Sequence, residues 1–265
     1  MVWDPAQYLK FADERMRPAA DLIARVPLAA PRSIVDLGCG TGNVTRMLAQ
    51  RWPGAAITGV DNSPAMLQRA AEDAMPECRI AWEQADLRAW APPPDASPPE
   101  LIYSNAALHW VDNHATLFPR LFGFVARGGV LAAQMPDQAG APSHVGMQQT
   151  ASEARWREHL AAALRPTPVA PLADCFGWLD KAAAAFDGWT CEYLHVLPAA
   201  PDGEHPVVAW TRATVLSPLL ERLDPGAKMD FLADYRRRIA QAYPPLADGR
   251  VLFPFRRQFF VALRA

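Results

Sequence analysis

The sequence predicts an α/β fold, a mostly parallel sheet with helices on both faces. Three observations carry that expectation. Short apolar runs alternate with helical stretches as far as about residue 135, the pattern of strand–helix–strand units. The stretch "SIVDLGCGTGN", Ser33–Asn43, is an apolar run that breaks into a loop with glycines at 38, 40 and 42 and then enters a helix. Three acids, Asp36, Asp61 and Asp86, fall at the ends of three successive predicted strands, the edge of an open sheet where ligands collect.

The elements follow in order. Residues 5–26 read as a helix with Phe11, Ala19, Leu22, Ile23 and Val26 on its apolar face. Pro18 lacks a backbone donor and is expected to kink or split it. Ser33–Leu37 suits a buried parallel strand, and the glycine loop leads to a helix ending near Trp52. "AAITGV", 55–60, is the next strand. Ser63 then caps a helix that has Pro64 at its first position. Strands follow at 78–86, 100–105 and 128–135, with a surface loop at "PPPDASPP" and a helix over 112–126. Beyond that the alternation breaks. Residues 143–188 read as helical and alanine-rich, "TCEYLHVL" as a strand, 205–243 as helical, and "VLFPFRRQFFVAL" as a terminal strand. Pro254 in that strand predicts an edge position or a bulge.

Composition narrows the function. The chain has 265 residues, 51% of them hydrophobic and 20% charged, with a formal net charge of −2. That balance offers no bulk attraction to a phosphate backbone, so no nucleic-acid partner is expected. No apolar stretch reaches the roughly eighteen residues of a membrane span, and the N-terminus has no leader pattern. A cytoplasmic protein without membrane contact is expected. Cys39, Cys78, Cys175 and Cys191 have neither metal-ligand nor disulfide-framework spacing, so no metal is expected.

The glycine loop does not match the dinucleotide fingerprint. Asp36 at its mouth repels a pyrophosphate and favours an ammonium or sulfonium. S-adenosylmethionine carries both cations and no phosphate. In this reading Gly38, Cys39, Gly40 and Asn43 cradle the amino-acid end. Asp61 accepts from both ribose hydroxyls, and Asp86 accepts from the adenine amino group. Met66 and Leu87 flank the ring, and Asn62, after the second strand, and Asn105, at the end of the fourth, are further cofactor-binding candidates.

"VDLGCGTGN", "GVDNSPAML", "ADL" and "NAALHW" resemble class I S-adenosylmethionine-dependent methyltransferases. "NAALHWVDNHATLFPRL", "GGVLAAQMPD" and "APSHVGM", with the first helix, look like the trans-aconitate 2-methyltransferases. The resemblance runs through the first 150 residues and thins to "VVAWTRAT", "FLADYRRRI" and "FRRQFFVALR" after them. It implies a Rossmann-like methyltransferase fold, a seven-stranded sheet with its last strand antiparallel. It implies transfer of a methyl group to one carboxylate of a small unsaturated tricarboxylic acid. Two departures stand out: Thr41 replaces a common proline, and Val215-Leu216-Ser217-Pro218 stands where the family usually shows Gly-x-Arg-Pro. The loss of that arginine keeps a second acceptor class open, a neutral or aromatic small molecule of natural-product tailoring.

A carboxylate is ionised at neutral pH and needs no general base. The protein has to hold the acid with arginine forks, hydroxyls or imidazoles. Candidates are Tyr8, Arg15 and Arg17 on the first helix, His109 and Trp110 after the fourth strand, and Arg212 and Arg257. Trp110 reads better as wall than as catalyst, and alternation leaves open which face Arg257 takes. As domains, the sequence reads as one methyltransferase domain over 1–265. It comprises an N-terminal helical lid at 1–30, a cofactor-binding core at 31–136, and a helical cap over the acceptor site at 143–188 and 205–243.

Overall fold

The computed structural model describes residues 12–73, 78–164, 169–201 and 203–265. Its strands are β1 (Ser33–Leu37), β2 (Ala56–Asp61), β3 (Arg79–Gln84), β4 (Leu101–Asn105), β5 (Val130–Pro136), β6 (Ala183–Leu197) and β7 (Val251–Arg264). Its α-helices are α1 (Ala12–Ala24), α2 (Asn43–Arg51), α3 (Pro64–Glu72), α4 (His114–Phe124), α5 (Pro142–Ala151), α6 (Ala154–Leu160), α7 (Leu172–Leu179), α8 (Pro206–Arg212), α9 (Ser217–Leu220) and α10 (Pro225–Ala242).

The seven strands form one sheet in the order β3-β2-β1-β4-β5-β7-β6. β1 pairs in parallel with β2 on one side and β4 on the other. The strand order therefore reverses at β1, which opens a crevice at the carboxyl ends of β1 and β4. β7 runs antiparallel to β5, with Gln134 opposite Phe259 and Pro136 opposite Arg257. This is the seven-stranded, mostly parallel α/β sheet expected from the sequence.

The chain divides into two compact units. One comprises Phe11–Pro136, Pro168–Cys191 and Arg257–Ala265. In it Val35, Leu37, Ile102, Leu131, Ala133 and Phe260 face α4 and α7 and form a continuous buried core. Each of the valine, leucine, isoleucine and phenylalanine side chains contributes roughly 1.5–3 kcal/mol when fully buried. The period of two sends the alternate residues to the opposite face. Asp36 is registered with Tyr103, and Asn105 with Gln134. Asp36, Tyr103, Asn105, Gln134 and Arg257 therefore share that face. The Tyr103 hydroxyl donates to the Ala19 carbonyl at 3.0 Å, which docks α1 there.

The other unit includes Asp137–Thr167 and Glu192–Arg256. Tyr235 of α10 donates its hydroxyl to the Ser143 carbonyl at 3.1 Å, and Tyr243 accepts from the Ser143 N–H at 3.2 Å. Two aromatic hydroxyls thus pin the start of α5. Asp224 caps α10 through the Ala227 N–H at 3.0 Å.

Several expectations need correction. α1 is not split at Pro18 but continues through it, because its buried Ala19, Leu22 and Ile23 hold the helix on the sheet. Residues 12–24 of the expected lid are thus part of the core unit. The alanine-rich end of 143–188 is strand from Ala183 onward. There Phe186 stacks on Phe260 at 5.8 Å and Trp189 on Phe259 at 4.9 Å, so packing overrides helix propensity. α7, also inside that span, belongs to the core unit. β7 lies between β5 and β6. Pro254 is accommodated because the β5 ladder ends at the Pro136–Arg257 pair and does not reach it.

Candidate active site

The glycine loop has the left-handed backbone that its sequence demands. Gly38 has φ +76° and Gly42 φ +75°. A Cβ on Gly38 would lie 2.1 Å from the Ala107 Cβ, and one on Gly42 2.4 Å from the Trp82 ring. Gly38 thus lets the loops after β1 and β4 touch, and Gly42 seats Trp82. Gly40, at φ +55°, has nothing within 4 Å of its Cβ position. The loop is therefore tight at both ends and open at its centre.

Asp36 is 1% exposed and accepts a 2.6 Å hydrogen bond from the Thr45 hydroxyl of α2. Burial, reinforced by the charge of Asp61 and opposed by Thr45, pushes its carboxyl up to about 7. A buried carboxyl held this way is poised for a cationic ligand. Cys39 is buried and its thiol is pushed far above the usual range by desolvation, which leaves it a packing residue of the loop, not a nucleophile. Asn43 opens α2 and accepts from Arg46 at 2.6 Å.

Asp61 ends β2 and uses both oxygens to organise the backbone. Oδ2 accepts from the Gly40 N–H and Oδ1 from the Ser63 N–H, each at 2.9 Å. Each oxygen keeps a lone pair for a ligand hydroxyl. Ser63 caps α3 through the Met66 N–H at 3.4 Å, as its position before Pro64 suggests. Met66 is buried, and Leu87 Cδ1 lies 3.6 Å from the Cβ position of Gly38. Asn62 is exposed, and its carbonyl accepts from Gln84 at 3.5 Å. Both oxygens of Asp86 are engaged by Arg88, an ion pair that holds the carboxyl below its usual range. Its side chain is 42% exposed, so as an adenine acceptor it would have to share those oxygens.

After β4 the backbone is strained. Ala106 has φ +53°, rare for a residue with a side chain, and its N–H donates to the Gln134 carbonyl at 2.9 Å. Asn105 Oδ1 is buried and has no protein partner among the described residues. The 3₁₀ turn Leu108–Trp110 follows and packs against β5. His109 is 9% exposed and lies against Trp110 at 4.8 Å, while Trp110 is 40% exposed. Arg257 is 3% exposed, which decides its face, and its Nη1 donates to Gln134 Oε1 at 3.4 Å. Arg212 pairs with Glu204 at 3.0 Å in the other unit. Tyr8 lies outside the described residues, as does the side chain of Arg15.

Sequence reasoning missed Thr45, Ala106 and Gln134. Only Gln134 left a signal, as the one polar residue in the apolar run "VLAAQM". The residues fit S-adenosylmethionine: a buried acid for the cations, an open glycine cradle, and an orphaned acceptor at Asn105.

The family described as "Methyltransferase domain" matches residues 34–129. The trans-aconitate 2-methyltransferase of Methylobacterium nodulans is 50% identical over 99% of this chain and 98% of its own. That of Paracidovorax citrulli is 46% identical over 99% and 98%. Among solved structures, the YcgJ protein of Bacillus subtilis superposes with a TM-score of 0.58 at 11% identity, covering 94% of this chain and 98% of that one. A phosphoethanolamine N-methyltransferase of Haemonchus contortus, solved with S-adenosylhomocysteine, gives 0.53 at 15% identity, covering 94% of this chain and 52% of that one. Fold, glycine loop and relatives define a class I, S-adenosylmethionine-dependent methyltransferase. Within that class, the chain belongs to the trans-aconitate 2-methyltransferase family.

Proposed function

We propose that the chain forms the monomethyl ester of trans-aconitate, a small carboxylic acid acceptor, using S-adenosylmethionine as donor. The observation that carries this reading is near end-to-end identity of 50% with a protein named for that reaction. When bound, S-adenosylmethionine supplies an electrophilic methyl group that passes from sulfur to a carboxylate oxygen, leaving the neutral thioether and the ester.

The chain's own residues divide the work. Asp36 offers a buried negative charge to the ammonium and sulfonium region. Asp61 fixes the glycine loop by its Gly40 contact and has lone pairs left for the ribose. Met66 and Leu87 flank the adenine, and Asn105 Oδ1 accepts from the ligand. Arg257 and His109, with Arg15 and Tyr8, hold the acceptor acid, and Trp110 walls it. No residue has to remove a proton, because the attacking carboxylate is already ionised. Catalysis rests on alignment and on keeping cations off the attacking oxygen.

The test is ester formation from trans-aconitate against a panel of monoacids, phenols and amines. Turnover with trans-aconitate far above the panel is expected. No product from it, alongside turnover of an uncharged acceptor, would overturn the reading.

A further inference from the structure

We infer that Gln134 is an acceptor-binding residue, which forms with Arg257 a two-part clamp for an acceptor carboxylate. The inference rests on the polycarboxylate reading above and assigns part of that site to a residue that carries no charge.

Gln134 is fully buried near the carboxyl end of β5. A lone amide in an apolar strand is costly unless both its ends are satisfied. Its Oε1 accepts from Arg257, while its Nε2 is buried with no protein partner among the described residues. An amide with its acceptor committed and its donor open matches a ligand oxygen.

Register supplies the rest. Asn105 is paired with Gln134, and Gln134 with Phe259, two residues from Arg257. Strands are spaced about 4.8 Å apart, so Gln134 and Arg257 lie one to two strands beyond the Asn105 end of β4. Two orphaned polar atoms, Asn105 Oδ1 and Gln134 Nε2, therefore sit on neighbouring strands of one face. The first is an acceptor suited to a cofactor hydroxyl or ammonium, and the second a donor suited to an anion. The Gln134 carbonyl also holds the Ala106 N–H, which ties the clamp to the loop that touches Gly38. Arg257 supplies the charge, Oε1 orients its guanidinium, and Nε2 donates to the same carboxylate.

The experiment compares wild type with Gln134→Glu and Gln134→Met. The glutamate is near-isosteric, neutralises Arg257 and repels the acceptor; the methionine fills the volume without a donor. For both, KM for trans-aconitate should rise at least about tenfold, more for the glutamate, with S-adenosylmethionine affinity by calorimetry within about twofold. The preference for trans-aconitate over monoacids should shrink in parallel, a change that loss of packing alone would not produce. Unchanged KM and preference in a Gln134→Glu variant that still binds the cofactor would overturn the inference. Failure of the wild type to methylate trans-aconitate would instead overturn the acceptor reading.

Discussion

The Thr45 hydroxyl donates to the Asp36 carboxylate at 2.6 Å, across the glycine loop that separates β1 from α2. This bond joins the two elements that frame the loop. It also offsets part of the desolvation that Asp36 suffers, since the Thr45 hydroxyl pulls that carboxyl down.

The pH dependence follows from the sign of the shift. Asp36 titrates near 7 in the folded protein and near 4 in the unfolded chain. Between those values the folded state holds a proton that the unfolded state has released. The group's contribution to stability is therefore full below about pH 4, falls as pH rises through 7, and is flat above. Asp36→Asn keeps an acceptor for Thr45 and removes the buried charge. It should raise the melting midpoint of the ligand-free protein at pH 8, by up to a few kcal/mol of unfolding free energy. Cofactor affinity should change oppositely. In wild type it should weaken toward tenfold per unit as pH drops below about 7, when Asp36 takes up its proton. In the asparagine variant it should be weaker and lack that slope. Calorimetric titrations from about pH 5.5 to 7 would check this, and parallel slopes for the two proteins would refute the assignment.

The glycines make a graded prediction. Gly38→Ala combines a left-handed backbone with a Cβ 2.1 Å from Ala107, so the loops after β1 and β4 must separate. Gly40→Ala meets only the backbone penalty, about 1 kcal/mol. Thermal denaturation should find Gly38→Ala destabilised by several times as much as Gly40→Ala. The calorimetric affinity ranking should differ, because the Gly40 methyl group would project into the open cradle. Equal melting midpoints would contradict the close approach of Gly38 and Ala107.

Much of this arrangement was legible beforehand, and the rest for physical reasons was not. The strand–loop–helix at Ser33–Asn43 announces itself because glycine is nearly obligatory where φ is positive and a neighbouring backbone is close. Ser63 before Pro64 is a local capping signal that needs no tertiary knowledge. By contrast, the Thr45 bond to Asp36 depends on how α2 lies on the sheet, and nothing nearby in sequence marks it. Ala183–Phe186 has helical propensity, yet becomes strand because Phe186 and Trp189 find Phe260 and Phe259 across the sheet. The strand before Asp86 stops at Gln84, two residues short of it, and Arg88 two residues on claims its oxygens, a competition that position after a strand does not reveal. Arg257 lies in a strand whose partner is distant in sequence, so its face was set by the β5–β7 register and by its burial.

Asp61→Ala should weaken S-adenosylmethionine binding by about 1–3 kcal/mol. The loss has two sources, the ligand hydroxyls and the backbone N–H groups of Gly40 and Ser63, which would lose their acceptors. Asp61→Asn separates them: one amide oxygen can serve only one of the two N–H groups. It should bind with intermediate affinity and melt between wild type and alanine. Calorimetry giving equal affinity for all three proteins would remove Asp61 from the cofactor site.

Arg257→Ala tests the acceptor side. Arg257 is 3% exposed and linked to Gln134, so its charge sits where a carboxylate gains most from it: water screens it little. Truncating a charged contact of this kind costs about 2–4 kcal/mol, or roughly 30- to 1000-fold in kcat/KM for a polycarboxylate. Cofactor affinity should change far less, because Asp36, Asp61 and the glycine loop are built without Arg257. Arg257→Lys keeps the positive charge but loses the planar fork that reaches Gln134 and a carboxylate together; it should recover only part of the loss. Trans-aconitate kinetics with separate kcat and KM, run beside calorimetry of the cofactor, distinguish the two sites. A variant that loses both affinities equally would mean that Arg257 supports the fold and not the acceptor. One that keeps wild-type kcat/KM would move the acceptor carboxylates to other cations of the chain.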